Sequence, residues 1–253
     1  MQARVAADKQ EQKRAFAEAV ARNPKLLEQR RKVWTAPPSP RGERTGLWPD
    51  GPARRVDRAF HRVCMTPRAM DRLIETQPEV AQEVVLALCI APPRHEDPVG
   101  VGRILESPGL QSWHEGFPPM WVRGPFLRFL QLKPQQGLDL IVRLVNFATE
   151  RWAEAARRRH NRDGEAPLSD TNLGATVDLA DESFTWLGNG NVYGWSRQAT
   201  MAACTVASAL MALEKWLYDQ LDQNEDIGRW LDAILRQSRS QALAGPLVAV
   251  GKK

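Results

Sequence analysis

The sequence predicts an all-α fold: an irregular helical bundle or short α-solenoid with one inserted β-hairpin. Three observations predict it. Two long stretches, 134–160 and 196–223, repeat apolar side chains at helical spacing. Shorter stripes of the same period flank them. A single segment near 176–195 carries the strand-forming aromatics and a turn dipeptide.

Taken in order, Asp8 to Ala21 is rich in Ala, Glu, Gln, Lys and Arg, all good helix formers. Asn23-Pro24 breaks this helix and Lys25 to Trp34 resumes it, so residues 1–35 read as a basic helical N-terminal segment. Residues 36–54 hold five Pro and three Gly and read as a linker. The α-helical domain then occupies 55–253. Thr66-Pro67 predicts an N-cap followed by Pro at the first helical position, with Met70, Leu73 and Ile74 on one face. Pro78 opens a further helix with Val80, Val84, Val85 and Leu88 at helical spacing. Residues 91–125 hold Pro92, Pro93, Pro98, Pro108, Pro118, Pro119 and Pro125 with Trp113, Phe117 and Trp121, and predict short turns pinned by aromatics.

From Pro134 to His160, Leu138, Ile141, Leu144, Val145, Ala148, Trp152 and Ala155 form one stripe, with Asp139, Arg143, Asn146, Glu150 and Glu154 off it. The helix ends in Arg157-Arg158-Arg159-His160, where positive charge suits the dipole. Ser196 to Gln223 is apolar on two sides: Val206, Leu210, Leu213, Leu217 and Leu221 on one, small residues and Trp216 on the other. Such a helix sits between neighbours. Asp226 to Gln237 directs Ile227, Trp230, Leu231, Ile234 and Leu235 inward. The apolar element from Ala242 to Val250 is expected to pack against something further on, as in a longer helical array. No clean repeat of thirty to forty-five residues accompanies it.

Between the long helices, Asn189-Gly190 is the preferred pair for a two-residue type I′ turn. That turn sets Trp186 opposite Tyr193 and Phe184 opposite Trp195, with all four rings on one face. The face is expected to cover a helix. Otherwise it is a stacking surface for a peptide, a sugar ring or a base.

The net charge of +5 is uneven: residues 1–75 hold 17 Lys/Arg against 9 Asp/Glu. This basic third reads as a solvated face with interspersed acids, or else as a nucleic-acid contact. Cys64, Cys89 and Cys204 are scattered, with no metal-ligand spacing, which points to a reducing compartment. The opening residues show no apolar signal region, and the run Met201 to Leu213 is too short to span a bilayer. The expected location is cytoplasmic, without membrane contact.

Motifs for chemistry are sparse. Gly188, Gly190 and Gly194 precede a helix without the βαβ unit of a dinucleotide site. GPLVAVGKK has the wrong spacing for a phosphate loop. Asp219, Asp222, Glu225 and Asp226 cluster at a helix end, where Asp219 and Asp222 are candidate Mg²⁺ ligands. No second facing acidic motif accompanies them, and Glu225 and Asp226 suit the start of the next helix, so capping is the better reading and no metal is expected. The histidines are His61, His95, His114 and His160. His95, Glu96, His114 and Glu115 would make an acid–base site if the fold joined them. No cofactor is expected.

The run ALMALEKWLYDQLDQNEDIGRWLDAILRQSRSQALAG resembles helical segments of large bacterial multidomain ATP-binding proteins, over about the last sixty residues. That resemblance implies a scaffold or sensor region, with ATP handled elsewhere in a longer chain. It carries over no site residue. The sequence therefore predicts a non-enzymatic scaffold or interaction module, whose partner is another protein or the remaining domains of a longer chain. The alternatives are nucleic-acid binding through the basic N-terminal third, and an enzyme with its site in 91–125.

Overall fold

The long apolar stripes do form the longest helices. The computed structural model describes residues 58–90, 110, 118–162, 168–179, 182–197 and 203–252. All lie within one unit, Thr45–Lys253. In chain order the elements are α1 (Arg58–Cys64), α2 (Asp71–Thr76), α3 (Pro78–Cys89), α4 (Phe126–Leu132), α5 (Pro134–Arg162), β1 (Gly174–Asp178), β2 (Ser183–Leu187), α6 (Gly190–Tyr193), α7 (Cys204–Asp222), α8 (Gly228–Gln237) and α9 (Ala244–Val250). The expected N-terminal helices, the linker and most of the proline-rich stretch lie outside the described residues.

The core is built around α5 and α7. Val206, Leu210, Leu213 and Leu217 are buried on one side of α7, and Ala207, Ser208, Ala212 and Trp216 on the other. That follows from its two apolar faces: α7 packs against α4, α5 and α9. Trp216 meets Trp230 of α8 edge-on at 5.3 Å between ring centroids. On α5, Leu138, Ile141, Leu144, Val145 and Ala148 are fully buried. Its polar positions bind neighbours: Arg143 pairs with Glu83 of α3 at 2.9 Å. Buried Gln82 donates to the Gln136 carbonyl at 2.7 Å and to Asp139 at 3.0 Å. Only Lys133 separates α4 from α5. Gly137 permits this tight corner, since a Cβ there would stand 2.7 Å from the Leu130 backbone nitrogen.

Local signals were redirected in three places. Thr66 does not cap a helix; its hydroxyl donates to the Arg62 carbonyl at 2.7 Å, and α2 begins only at Asp71. Pro78 does open α3, but Val80 is exposed, and Ala81 and Gln82 take the inward positions. The C-terminal apolar element finds its cover within the described residues. Ala242, Leu243, Gly245, Pro246 and Val250 are buried, and α9 packs on α7.

The hairpin exists, but not where Asn189-Gly190 places it. β1 and β2 pair antiparallel with Thr176 opposite Thr185 and Asp178 opposite Ser183, so the turn lies between Asp178 and Ser183. Asn189 instead caps α6, its side-chain oxygen accepting from the Asn191 and Val192 amides at 3.0 and 3.2 Å. Asn is as good an N-cap as it is a turn residue. Gly188, at φ +136°, provides the left-handed backbone that redirects the chain. Tyr193 and Trp195 consequently lie on helical turns rather than on a strand facing β2. No helix among the described residues is long and apolar enough to cross a membrane.

Candidate interaction site

Two concave surfaces stand out among the described residues, and they share no lining residue. The first is an apolar groove of about 400 Å³ where α1 and the 118–125 segment meet the start of α7. Met65, Met120, Val122 and fully buried Phe126 supply its apolar lining. The 118–125 segment is fixed there by its own chemistry. Pro119 is buried, the Met120 amide donates to buried Ser208 at 3.2 Å, and Gly124 adopts φ +73°. Arg62, Arg123 and His61 supply charged and titratable lining, and no described carboxylate lines the groove with them.

Unusually large apolar side chains stay exposed on the elements that build this groove. Phe60 and Val63 of α1 are 53% and 59% exposed, and Met120, Trp121 and Val122 are 42%, 41% and 37%. The Lys215 ammonium stands over the Trp121 ring, 5.6 Å from its centroid. Cys204, the first residue of α7, opens onto the groove. Burial pushes its thiol up from the ordinary value, while its own backbone amide and the Arg123 cation act in the opposite direction.

The second surface is a polar cleft of about 580 Å³ along β2, walled by Glu150, Glu154 and Arg157 of α5, by Arg236 in the last turn of α8, and by Ser238 and Arg239 after it. Arg157 is ion-paired with Asp170, and Arg236 with Asp232 at 2.9 Å. Arg151 holds Glu154 at 2.9 Å. The 237–240 segment is tied to α5. Asn146 donates to the Gln237 carbonyl at 3.0 Å and accepts from the Arg239 amide at 2.9 Å, imitating a peptide group. Below it the Thr149 and Ser240 hydroxyls, both fully buried, share a 2.6 Å hydrogen bond.

Of the residues singled out from sequence, His95, Glu96, His114 and Glu115 lie outside the described residues. Phe184 is half-buried and lines the polar cleft, Trp186 and Trp195 are buried, and Tyr193 is 40% exposed. The four do not form one aromatic face, because only Phe184 and Trp186 belong to a strand. Asp219 is ion-paired with Lys215 one turn earlier on α7, and Asp222 is exposed at the helix end. No group of three or more His, Cys, Asp or Glu side chains among the described residues is placed to hold a metal ion.

Neither surface was legible beforehand. The groove joins residues from His61 to Ser208, and no local periodicity signals such a meeting. Arg157 and the Phe184 strand hinted at the polar cleft only as separate features. Compared with known proteins, the chain matches no family model and no curated sequence.

Proposed function

We propose that this chain is a non-enzymatic interaction module whose apolar groove receives an acidic amphipathic segment of a partner protein. The observation that carries it is the groove lining: two methionines, Val122 and Phe126 beside two arginines and a histidine, with no carboxylate among the described residues that line it. Methionine-rich surfaces adapt to varied apolar side chains. An apolar floor flanked by cations complements a helix that presents Leu or Met on one face and Glu or Asp beside it. Each large side chain that such a partner buries contributes roughly 1.5–3 kcal/mol before the costs of association. The exposed Phe60, Val63, Met120 and Trp121 support the same reading, since they add large apolar side chains, on the elements that build the groove, that a partner can bury. So does the resemblance of the last sixty residues to helical arrays that serve as scaffolds or sensors.

The test uses a fluorescein-labelled helical peptide with Leu at helical spacing and Glu at the remaining positions. It is expected to bind, to shield Cys204 from maleimide labelling, and to weaken as salt is raised. Val122→Asp should lower its affinity about tenfold or more, with the fold intact because Val122 is exposed. No binding, or binding indifferent to Val122→Asp, would refute the groove as the site. Tight binding of a DNA or RNA duplex instead, lost steeply with salt, would favour the nucleic-acid reading.

A further inference from the structure

The backbone hydrogen bonds of the hairpin fix which groups each edge presents. In an antiparallel pair, hydrogen-bonded and non-hydrogen-bonded pairs alternate. The Gly188 amide donates to the Leu173 carbonyl and the Leu179 amide to the Glu182 carbonyl. With the observed register, the bonded pairs between them are Ala175 with Trp186 and Val177 with Phe184. The backbone N–H and C=O of Ser183, Thr185 and Leu187 therefore point away from β1, toward the polar cleft these residues line.

At Leu187 this edge already pairs with the backbone of the segment after α8. The Leu187 amide donates to the Arg239 carbonyl at 2.8 Å, and Leu187 and Ser240 form a parallel bridge. The pairing goes no further among the described residues, because the chain before Ser238 is the helix α8. From Thr185 toward Ser183 the edge faces the cleft instead. Its walls carry two charges with no ion-pair partner among the described residues, Arg239 and Glu150, while Arg157, Arg236 and Glu154 are held by neighbours.

We propose that the Thr185 edge of β2 is a strand-addition site for an extended segment of a partner protein, bearing a carboxylate for Arg239 and a cationic side chain for Glu150. The main chain of that segment pairs with the outward Thr185 amide and carbonyl, extending the ladder begun at Leu187. The two unmatched charges fix its register. This surface is separate from the apolar groove, so its test succeeds or fails independently of that reading.

The probe is a fluorescein-labelled hexapeptide alternating Val and Thr between a terminal Glu and a terminal Lys. Binding is expected to slow hydrogen exchange at the Thr185 amide and leave Thr176 unchanged. Thr185→Pro removes the outward donor without touching the β1 ladder, as proline permits at an edge. It should weaken binding about tenfold, the effect of one lost hydrogen bond. Thr176→Pro makes the same change on the opposite edge and should leave affinity unaltered. A fully N-methylated peptide tests the point on the unaltered protein, should Thr185→Pro fail to fold, and should also bind at least tenfold more weakly. No binding, equal binding of the N-methylated peptide, or equal loss in the two proline variants would overturn the proposal.

Discussion

Replacing Gly137 with Ala sets two rules against each other. In a helix interior, Gly→Ala is worth about 1 kcal/mol of added stability. Here the added Cβ would stand 2.7 Å from the Leu130 nitrogen, 2.8 Å from the Phe129 carbonyl carbon and 2.9 Å from the Leu130 Cα. All three contacts are backbone, so no side chain can rotate away. The α4 helix would have to retreat by several tenths of an ångström, loosening Phe126, Phe129 and Leu130, which are fully buried. Gaps of that size forfeit a quarter or more of the dispersion at each contact. Overpacking costs roughly 1–3 kcal/mol, and three rigid contacts place this site near the top of that range. After the propensity gain, the net loss is about 2 kcal/mol. For a domain of this size that lowers Tm by roughly 4–8 °C. Thermal unfolding followed by circular dichroism measures it. An unchanged or raised Tm would refute the close approach of α4 to α5.

Other substitutions read other parts of the structure. Gly190→Ala is expected to be neutral or to stabilise by up to about 1 kcal/mol, because its Cβ would meet nothing within 4 Å. A marked fall in Tm would return Asn189-Gly190 to a hairpin turn. Asn189→Ala should cost about 1 kcal/mol through the lost α6 cap, measured by urea denaturation. Burial raises the Cys89 thiol to about 12, so at neutral pH maleimide should label the partly exposed Cys204 before Cys89, which reacts only after unfolding. Burial also raises the Glu214 carboxyl above its ordinary value, outweighing Arg197 at 3.2 Å. Its contribution to stability is therefore present below about pH 4.5 and lost as pH rises through the raised value. Glu214→Gln should lack this decline, so its Tm relative to the parent should rise from acid to neutral pH.

The parts of the fold that sequence revealed are those governed by period. The stripes of α5 and α7 are long enough that only one helical face satisfies them, and their burial follows. Asn189-Gly190 misled because one dipeptide suits two structures: a type I′ turn, or an N-cap followed by a permissive first residue. The choice depends on whether the following residues find a strand partner, and Val192 and Trp195 are instead buried in the helical core. Thr66-Pro67 was ambiguous in the same way, since a threonine hydroxyl can bond back to the preceding turn as readily as cap the next. The apolar groove and the β2 edge depend on long-range meetings and on strand register, neither of which a single sequence encodes locally.

The ties between Asn146 and the 237–240 segment also bear on the order of folding. They join residues separated by 91 and 93 positions in the chain, and the Thr149–Ser240 pair spans 91. Closing so long a loop costs chain entropy before any contact repays it. The β1–β2 hairpin, whose pairing is local, should therefore assemble first, with Arg239 and Ser240 zipping onto Leu187 as a late event. In native-state exchange the Leu187 amide should then open at lower free energy than those of α7, so the seam between β2 and the C-terminal segment loosens before that helix does.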